Sequence, residues 1–302
     1  MEWQRLVAVD WSGDKGPGQR KKIWAGVWTR GGRGRVAGGT VRLEDGRSRE
    51  ELTEWLVEMS RETPAMAVSI DCCFSYPAWF LQEHGCRTVF EFWRHVAAGH
   101  GERWLTDVSE GRDARFWGRP TRRPAQFSGE GYRTMMRQTD WENKVEFGGG
   151  DEARAALMKG IQPKSPFQIG GSGSVGTGTL RAMPWLMRFW ESGFRVWPFE
   201  SVEVGRPVLL EMYTRLLTGP VAKSNAEARK AYLLERKRVD TELYGGLSAG
   251  VVEKARGSED GFDALVCCLE MVRWQREFAG LRETRDAELR LEGITWRPGV
   301  MG

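Results

Sequence analysis

Leu6-Val7-Ala8-Val9-Asp10-Trp11-Ser12-Gly13 is a short apolar run that ends on a carboxylate and a small-residue turn. A run of this length bounded by a turn predicts a buried strand. A strand that delivers an acid at its C-terminal end, followed by small residues, is how several α/β folds place a metal or phosphate ligand. Asp10 is therefore the first candidate for chemistry. Its competing role is local: the carboxylate can hold the amides of Ser12 or Gly13 and cap the turn. The choice rests on whether other acids fall at matching places.

Beyond a polar turn over 14–22, residues 23–29 and 39–43 are patterned as strands, so the first three strands form an antiparallel meander. Ser48 opens a capping-type start with Glu50 and Glu51 in the first turn. Leu52, Trp55, Leu56 and Met59 follow at helical spacing, and Pro64 closes the helix. Residues 65–70 are again apolar and hand a second carboxylate, Asp71, to their end. A strand that returns through a helix runs parallel to its predecessor. As a neighbour of the first strand it brings Asp71 to Asp10.

Short helices are expected at 78–82 and 88–98. From about 101 to 168 the periodicity is poor, and Arg112, Arg115, Arg119, Arg122, Arg123, Arg133 and Arg137 are interleaved with Phe116, Trp117, Phe127 and Tyr132. This reads as an insertion or lid whose basic and aromatic mixture suits single strands or phosphates. The alternative is an irregular loop whose arginines pair with nearby acids. Residues 170–179 are glycine-rich and lead into a helix over 180–192. Such a loop, with Ser172 and Thr177, can cradle phosphate at a helix start, or can serve as a flexible connector. It lacks both the Lys-Ser/Thr ending of a P-loop and the spacing of a dinucleotide fingerprint. Two further strands are expected, 193–200 ending at Glu200 and 207–213 containing Glu211, then a charged helix over 226–238. The last long helix opens at Ser258 and runs to about Phe278. Asp260 and Asp263 share a face near its start, where acids also suit a plain helix N-terminus. Residues 289–296 are read as a closing strand.

The 302 residues predict one domain, 1–302, with a sizeable insertion. Hydrophobic residues at 40% and charged residues at 28% fit a soluble globular chain, and no apolar run approaches the roughly 20 residues that span a bilayer. The N-terminal residues run directly into the first strand, so a cytoplasmic protein is expected. Five cysteines in no zinc or disulfide spacing read as reduced, and three histidines make oxygen ligands the better choice for a metal. The net charge of +4 is modest but locally concentrated, and fifteen tryptophans exceed what a core alone needs, leaving some for bases or partners. Three carboxylates at strand ends (Asp10, Asp71, Glu200) and the late-helix pair describe a hard-cation site. Clustered carboxylates repel unless a divalent ion sits among them, and two such ions about 4 Å apart can activate water at a phosphodiester.

Val7-Ala8-Val9-Asp10-Trp11-Ser12-Gly13, Ser69-Ile70-Asp71, Ser165-Pro166-Phe167-Gln168-Ile169-Gly170, Val196-Trp197-Pro198-Phe199-Glu200 and Ser258-Glu259-Asp260-Gly261-Phe262-Asp263-Ala264 together resemble the family of predicted RNase H-like nucleases, domain of unknown function 429. The resemblance spans nearly the whole chain, and the last block is its most specific part. It implies an RNase H-like α/β fold, a mixed five-stranded sheet with its first three strands antiparallel and helices on both faces. In that superfamily the first strand, the fourth strand and the last helix carry the acids. Those positions match Asp10, Asp71, and Asp260 with Asp263, closest to the Holliday-junction resolvase arrangement. Glu200 lies outside these four and is assigned either to the ion set or, with Glu211, to a family-specific site.

The leading expectation is a phosphodiesterase acting on DNA or RNA with Mg²⁺ or Mn²⁺. Asp10 bridges both ions, Asp71 and Asp263 hold one each, and Asp260 ligates or orients a water. Lys21, Lys22, Arg119, Arg122 and Arg123 would contact the nucleic-acid backbone, and Ser12, Ser172 and Thr177 the phosphates. Two other classes stay open: a nucleotide-binding phosphotransferase of actin-like type, and a non-catalytic module that binds nucleic acid or protein through the insertion.

Overall fold

The computed structural model describes residues 2–31, 36, 38–106, 113–118, 122–149, 163–171 and 174–300. Its strands are β1 (Arg5–Asp10), β2 (Trp24–Arg30), β3 (Gly39–Glu44), β4 (Met66–Asp71), β5 (Arg195–Trp197) and β6 (Val208–Met212). They form one mixed sheet in the order β3-β2-β1-β4-β6-β5. The first three pair antiparallel as the turns predict, and β4 lies parallel to β1. β6 pairs parallel with β4, and β5 pairs parallel with β6 at the edge.

The helices are α1 (Arg49–Glu62), α2 (Ala78–Glu83), α3 (Val89–His95), α4 (Gln138–Gly149), α5 (Gly176–Glu191), α6 (Thr214–Thr218), α7 (Ala226–Val239), α8 (Ala249–Gly257) and α9 (Glu259–Phe278), with shorter turns between them. None of the described helices is long and apolar enough to cross a membrane. α1 starts with the full capping box, Ser48 accepting from the Glu51 amide and Glu51 accepting from the Ser48 amide. Side-chain alternation divides the core into two layers. Val7, Val9, Val68, Ile70 and Leu209 pack with Leu52, Leu56, Phe92 and Leu186 of α1, α3 and α5. Leu6, Ala8, Ala67, Val208 and Leu210 pack on the other face with Phe262, Leu265 and Leu269 of α9. Asp10 shares the parity of Leu6 and Ala8, and Asp71 that of Ala67 and Ser69, so both carboxylates fall on the α9 side. Glu211 shares the parity of Leu209 and falls on the opposite side.

Gly26 sets how close α9 can come. A Cβ there would lie 2.3 Å from the Ala264 carbonyl oxygen and 2.9 Å from Cys268 Cβ, so only glycine lets the helix rest on β2.

Three expectations are corrected. The sheet has six strands where the resemblance implied five. Residues 289–296 hold the short helix Leu289–Glu292 and a single bridge from Trp296 to Met212 in place of a closing strand. In the segment read as an insertion, the described residues include the short helix Gly131–Thr134 and α4, and Trp117 bridges Gln168. Its described aromatics belong to the core or pack against it. Phe116, Trp117, Tyr132 and Phe167 are buried with Tyr76, Phe80 and Trp104, because rings of this size gain more from burial than from exposure. Of the fifteen tryptophans only Trp274 is exposed. All five cysteines are unpaired.

Candidate carboxylate site

Three elements deliver the four predicted aspartates. The parallel β1–β4 register pairs Val9 with Ile70, and one step further sets Asp10 beside Asp71 at the C-terminal edge of the sheet. α9 crosses this face with its N-terminus over the same edge. Its first turn is capped by Ser258, whose hydroxyl accepts from the Gly261 amide. Asp260 and Asp263, three residues apart, project from that turn, and Asp263 is fully buried. The turn after β1 is held by other groups: Ser12 Oγ accepts from the Asp14 amide, and Arg49 donates to the carbonyls of Ser12 (2.9 Å) and Asp14 (2.7 Å). Asp10 is thereby left for the cluster.

The electrostatics are those of crowded acids. Burial, then the charges of Asp263, Asp71 and Asp260, push the Asp10 carboxyl well above its usual range. Burial is also the main cause at Asp71 and Asp260, each raised to about 6, and at Asp263, which is raised as well. One cation sits in direct contact: Lys223 Nζ bonds Asp263 Oδ2 and lies 3.7 Å from Glu259 Oε1. Thr214 Oγ1 donates to Asp71 Oδ2 at 3.1 Å. Asp263 Oδ1 is buried with no hydrogen-bond partner. The donor set is all oxygen, which fits a hard cation such as Mg²⁺ or Mn²⁺. As arranged here, with the ammonium among them, no three His, Cys, Asp or Glu side chains of the described residues close around a single point.

A cavity of about 450 Å³ opens beside this cluster, with Asp71 on its wall. Ser12, Gly13, Lys22, Thr177 and Arg181 line it as well. The glycine-rich run is no flexible connector at its second half: α5 begins at Gly176, and a Cβ on Gly13 would lie 2.6 Å from the Gly178 amide nitrogen. Thr177 spends its hydroxyl on the Ile169 carbonyl at 2.7 Å. Lys22 pairs with Asp14 at 2.8 Å, and Lys21 is exposed. Arg122 and Arg123 are exposed, Arg123 lying over the Tyr132 ring. Arg119 and Ser172 lie outside the described residues. Glu200 is not brought to the aspartates. It pairs with Arg195 at 2.8 Å and accepts from the Val196 amide on the edge strand, whereas Glu211 is held by Arg137, so the two glutamates do not share a site.

Two groups escaped the sequence reading. Lys223 sits in a loop without periodic pattern, and its only signal was a lone cation between Gly219-Pro220 and the Asn225 helix cap. Arg137 stands in the sequence as one more arginine of the insertion, yet it is fully buried. Its N–H groups reach both oxygens of Asp140 and of Glu211, the Glu292 carbonyl and Thr295 Oγ1. No family model matches the chain, and no curated protein or solved structure matches it significantly.

Proposed function

We propose that this chain is a divalent-metal-dependent phosphodiester hydrolase of RNase H-like type, one of the predicted nucleases its sequence blocks resemble, acting on nucleic acid. The observation that carries the reading is the convergence of Asp10, Asp71, Asp260 and Asp263 from β1, β4 and α9 on one sheet edge, with a buried carboxylate oxygen left unpartnered. The antiparallel first three strands and the parallel fourth support the fold assignment. Its five unpaired cysteines suit a reducing compartment, the cytoplasm.

Asp10, Asp71, Asp260 and Asp263 would hold Mg²⁺ or Mn²⁺. Bound there, the metal supplies an activated water and charge stabilisation at the leaving oxygen. Lys22 on the cavity wall would attract the phosphodiester backbone, and the cavity beside Asp71 gives a strand room to approach. The test is cleavage of single-stranded and branched DNA and RNA with Mn²⁺. Asp10→Asn should lower the rate by at least about 10²-fold with the fold intact by circular dichroism. Cleavage retained in that variant overturns the assignment.

A second reading has one observation behind it. The contact of Gly13 with Gly178 sets the start of α5 against the first-strand turn, where an actin-like phosphotransferase would hold nucleotide phosphates. Saturable ATP binding by calorimetry, lost on Gly178→Val, would favour it over the nuclease.

A further inference from the structure

We infer that Lys223 is a built-in cation standing where a second metal ion would otherwise lie, so that the centre takes one divalent ion per chain. The inference rests on the metal-site reading above and specifies it.

The ammonium is held in place from both ends. Its Nζ bonds Asp263 Oδ2. Its backbone is clamped by Arg229, a buried side chain that donates from Nη1 to the Lys223 carbonyl and from Nε (3.0 Å) and Nη2 (2.6 Å) to the Arg256 carbonyl. Arg256 lies two residues before Ser258, the cap of α9. The loop is therefore tied to the helix start that carries Asp260 and Asp263. Arg215 adds a bond from Nη1 to the Val221 carbonyl at 2.6 Å. These bonds fix the backbone that carries Lys223, and the ammonium itself is held by Asp263 Oδ2 with Glu259 3.7 Å away, so it would have to break that ion pair to make way for an incoming ion.

The remaining acceptors favour a single ion. Asp263 Oδ2 is engaged by Lys223, and Asp71 Oδ2 accepts from Thr214. The unpartnered Asp263 Oδ1 remains, with Asp10 beside Asp71. A second ion would have to displace the ammonium from Asp263. The Lys223 charge also acts on Asp10, Asp71 and Asp260, lowering the repulsion a second ion would otherwise relieve.

Mn²⁺ binding to the full chain, counted by electron paramagnetic resonance and calorimetry, tests this without any substrate. One ion per chain is expected in the parent and in Lys223→Arg, and two in Lys223→Met. Two ions in the parent, or a single ion in folded Lys223→Met, overturn the inference and leave the metal centre standing. If Lys223→Met does not fold, the parent count decides alone, one ion supporting the inference and two overturning it. No binding to the parent, or binding undiminished by Asp10→Asn, overturns the metal centre itself and the inference with it.

Discussion

Ile70 pairs with Glu211 and Asp71 with Met212 across two adjacent strands, yet the two acids leave the sheet on opposite faces and meet opposite fates. On one face Glu211 enters a network in which every nitrogen of the Arg137 guanidinium is bonded. Glu211 Oε2 also accepts from the Phe74 amide (2.6 Å), and Oε1 from Thr295 Oγ1 (2.6 Å). On the other face, of the four aspartates only Asp263 bonds an ammonium, that of Lys223, and a buried oxygen of Asp263 has no partner. Both are buried charge clusters close to one cavity. Satisfaction separates them: the first joins α4, β6 and the chain after α9 into one structure, and the second stores repulsion that a cation would relieve. A charged cluster that the fold completes is read as a clamp, and one that it leaves incomplete as a site.

The largest expected effect breaks the clamp. Arg137→Met leaves Glu211 and Asp140 buried without their cation, and removing one partner of such a network costs about 3–5 kcal/mol. Urea unfolding should show that loss, and Glu211→Gln in the same background should recover part of it. A loss below about 1 kcal/mol would mean that the network is not what holds the insertion to the sheet. The same substitution logic has the opposite sign at the site: Asp10→Asn removes a repelling charge, and its thermal midpoint should not fall.

How much of this was legible follows from what encodes it. β1, β4 and α9 were readable because apolar runs, a capped start and acids at their ends are local signals, and the parallel return of β4 follows from chain connectivity. Asp10, Asp71, Asp260 and Asp263 could be brought together on that basis. Arg137 could not be told from its exposed neighbours, because a buried arginine differs from a surface one only through partners 3, 74 and 155 positions away. Lys223 was missed for the same reason: its partner is 40 residues on. Glu200 misled because the strand expected over 193–200 stops at Trp197, which leaves the acid in a turn at the sheet edge, and nothing local marks that early end. The insertion aromatics misled because composition suits stacking on bases and stacking on one another equally.

Gly26→Ala probes the contact that aims the site. The new methyl group meets the Ala264 carbonyl, one residue after Asp263, so α9 must lift or slide. A cost of about 1–3 kcal/mol is expected. Mn²⁺ affinity should fall with it, although no ligand has been touched. Unchanged affinity in a destabilised variant would show that the helix start keeps its place independently of β2.

The smallest effect is in the pH dependence of the metal-free chain, and it comes from the aspartate cluster. Asp71 and Asp260 are raised to about 6 from an unfolded value of 3.8, so the folded chain holds protons that the unfolded chain has released. Stability from these groups is complete below the unfolded value and is lost as pH rises through about 6. The thermal midpoint without metal should therefore decline from about pH 4 to about pH 7. The decline should be on the order of 1 kcal/mol, because both carboxylates are only part-buried and solvent relieves much of the cost of charging them. Asp71→Asn with Asp260→Asn should flatten the slope, and so should a saturating divalent ion, which replaces protons as the partner of the carboxylates. A slope that survives both changes would place the titrating groups elsewhere and remove the contrast between a satisfied cluster and an unsatisfied one.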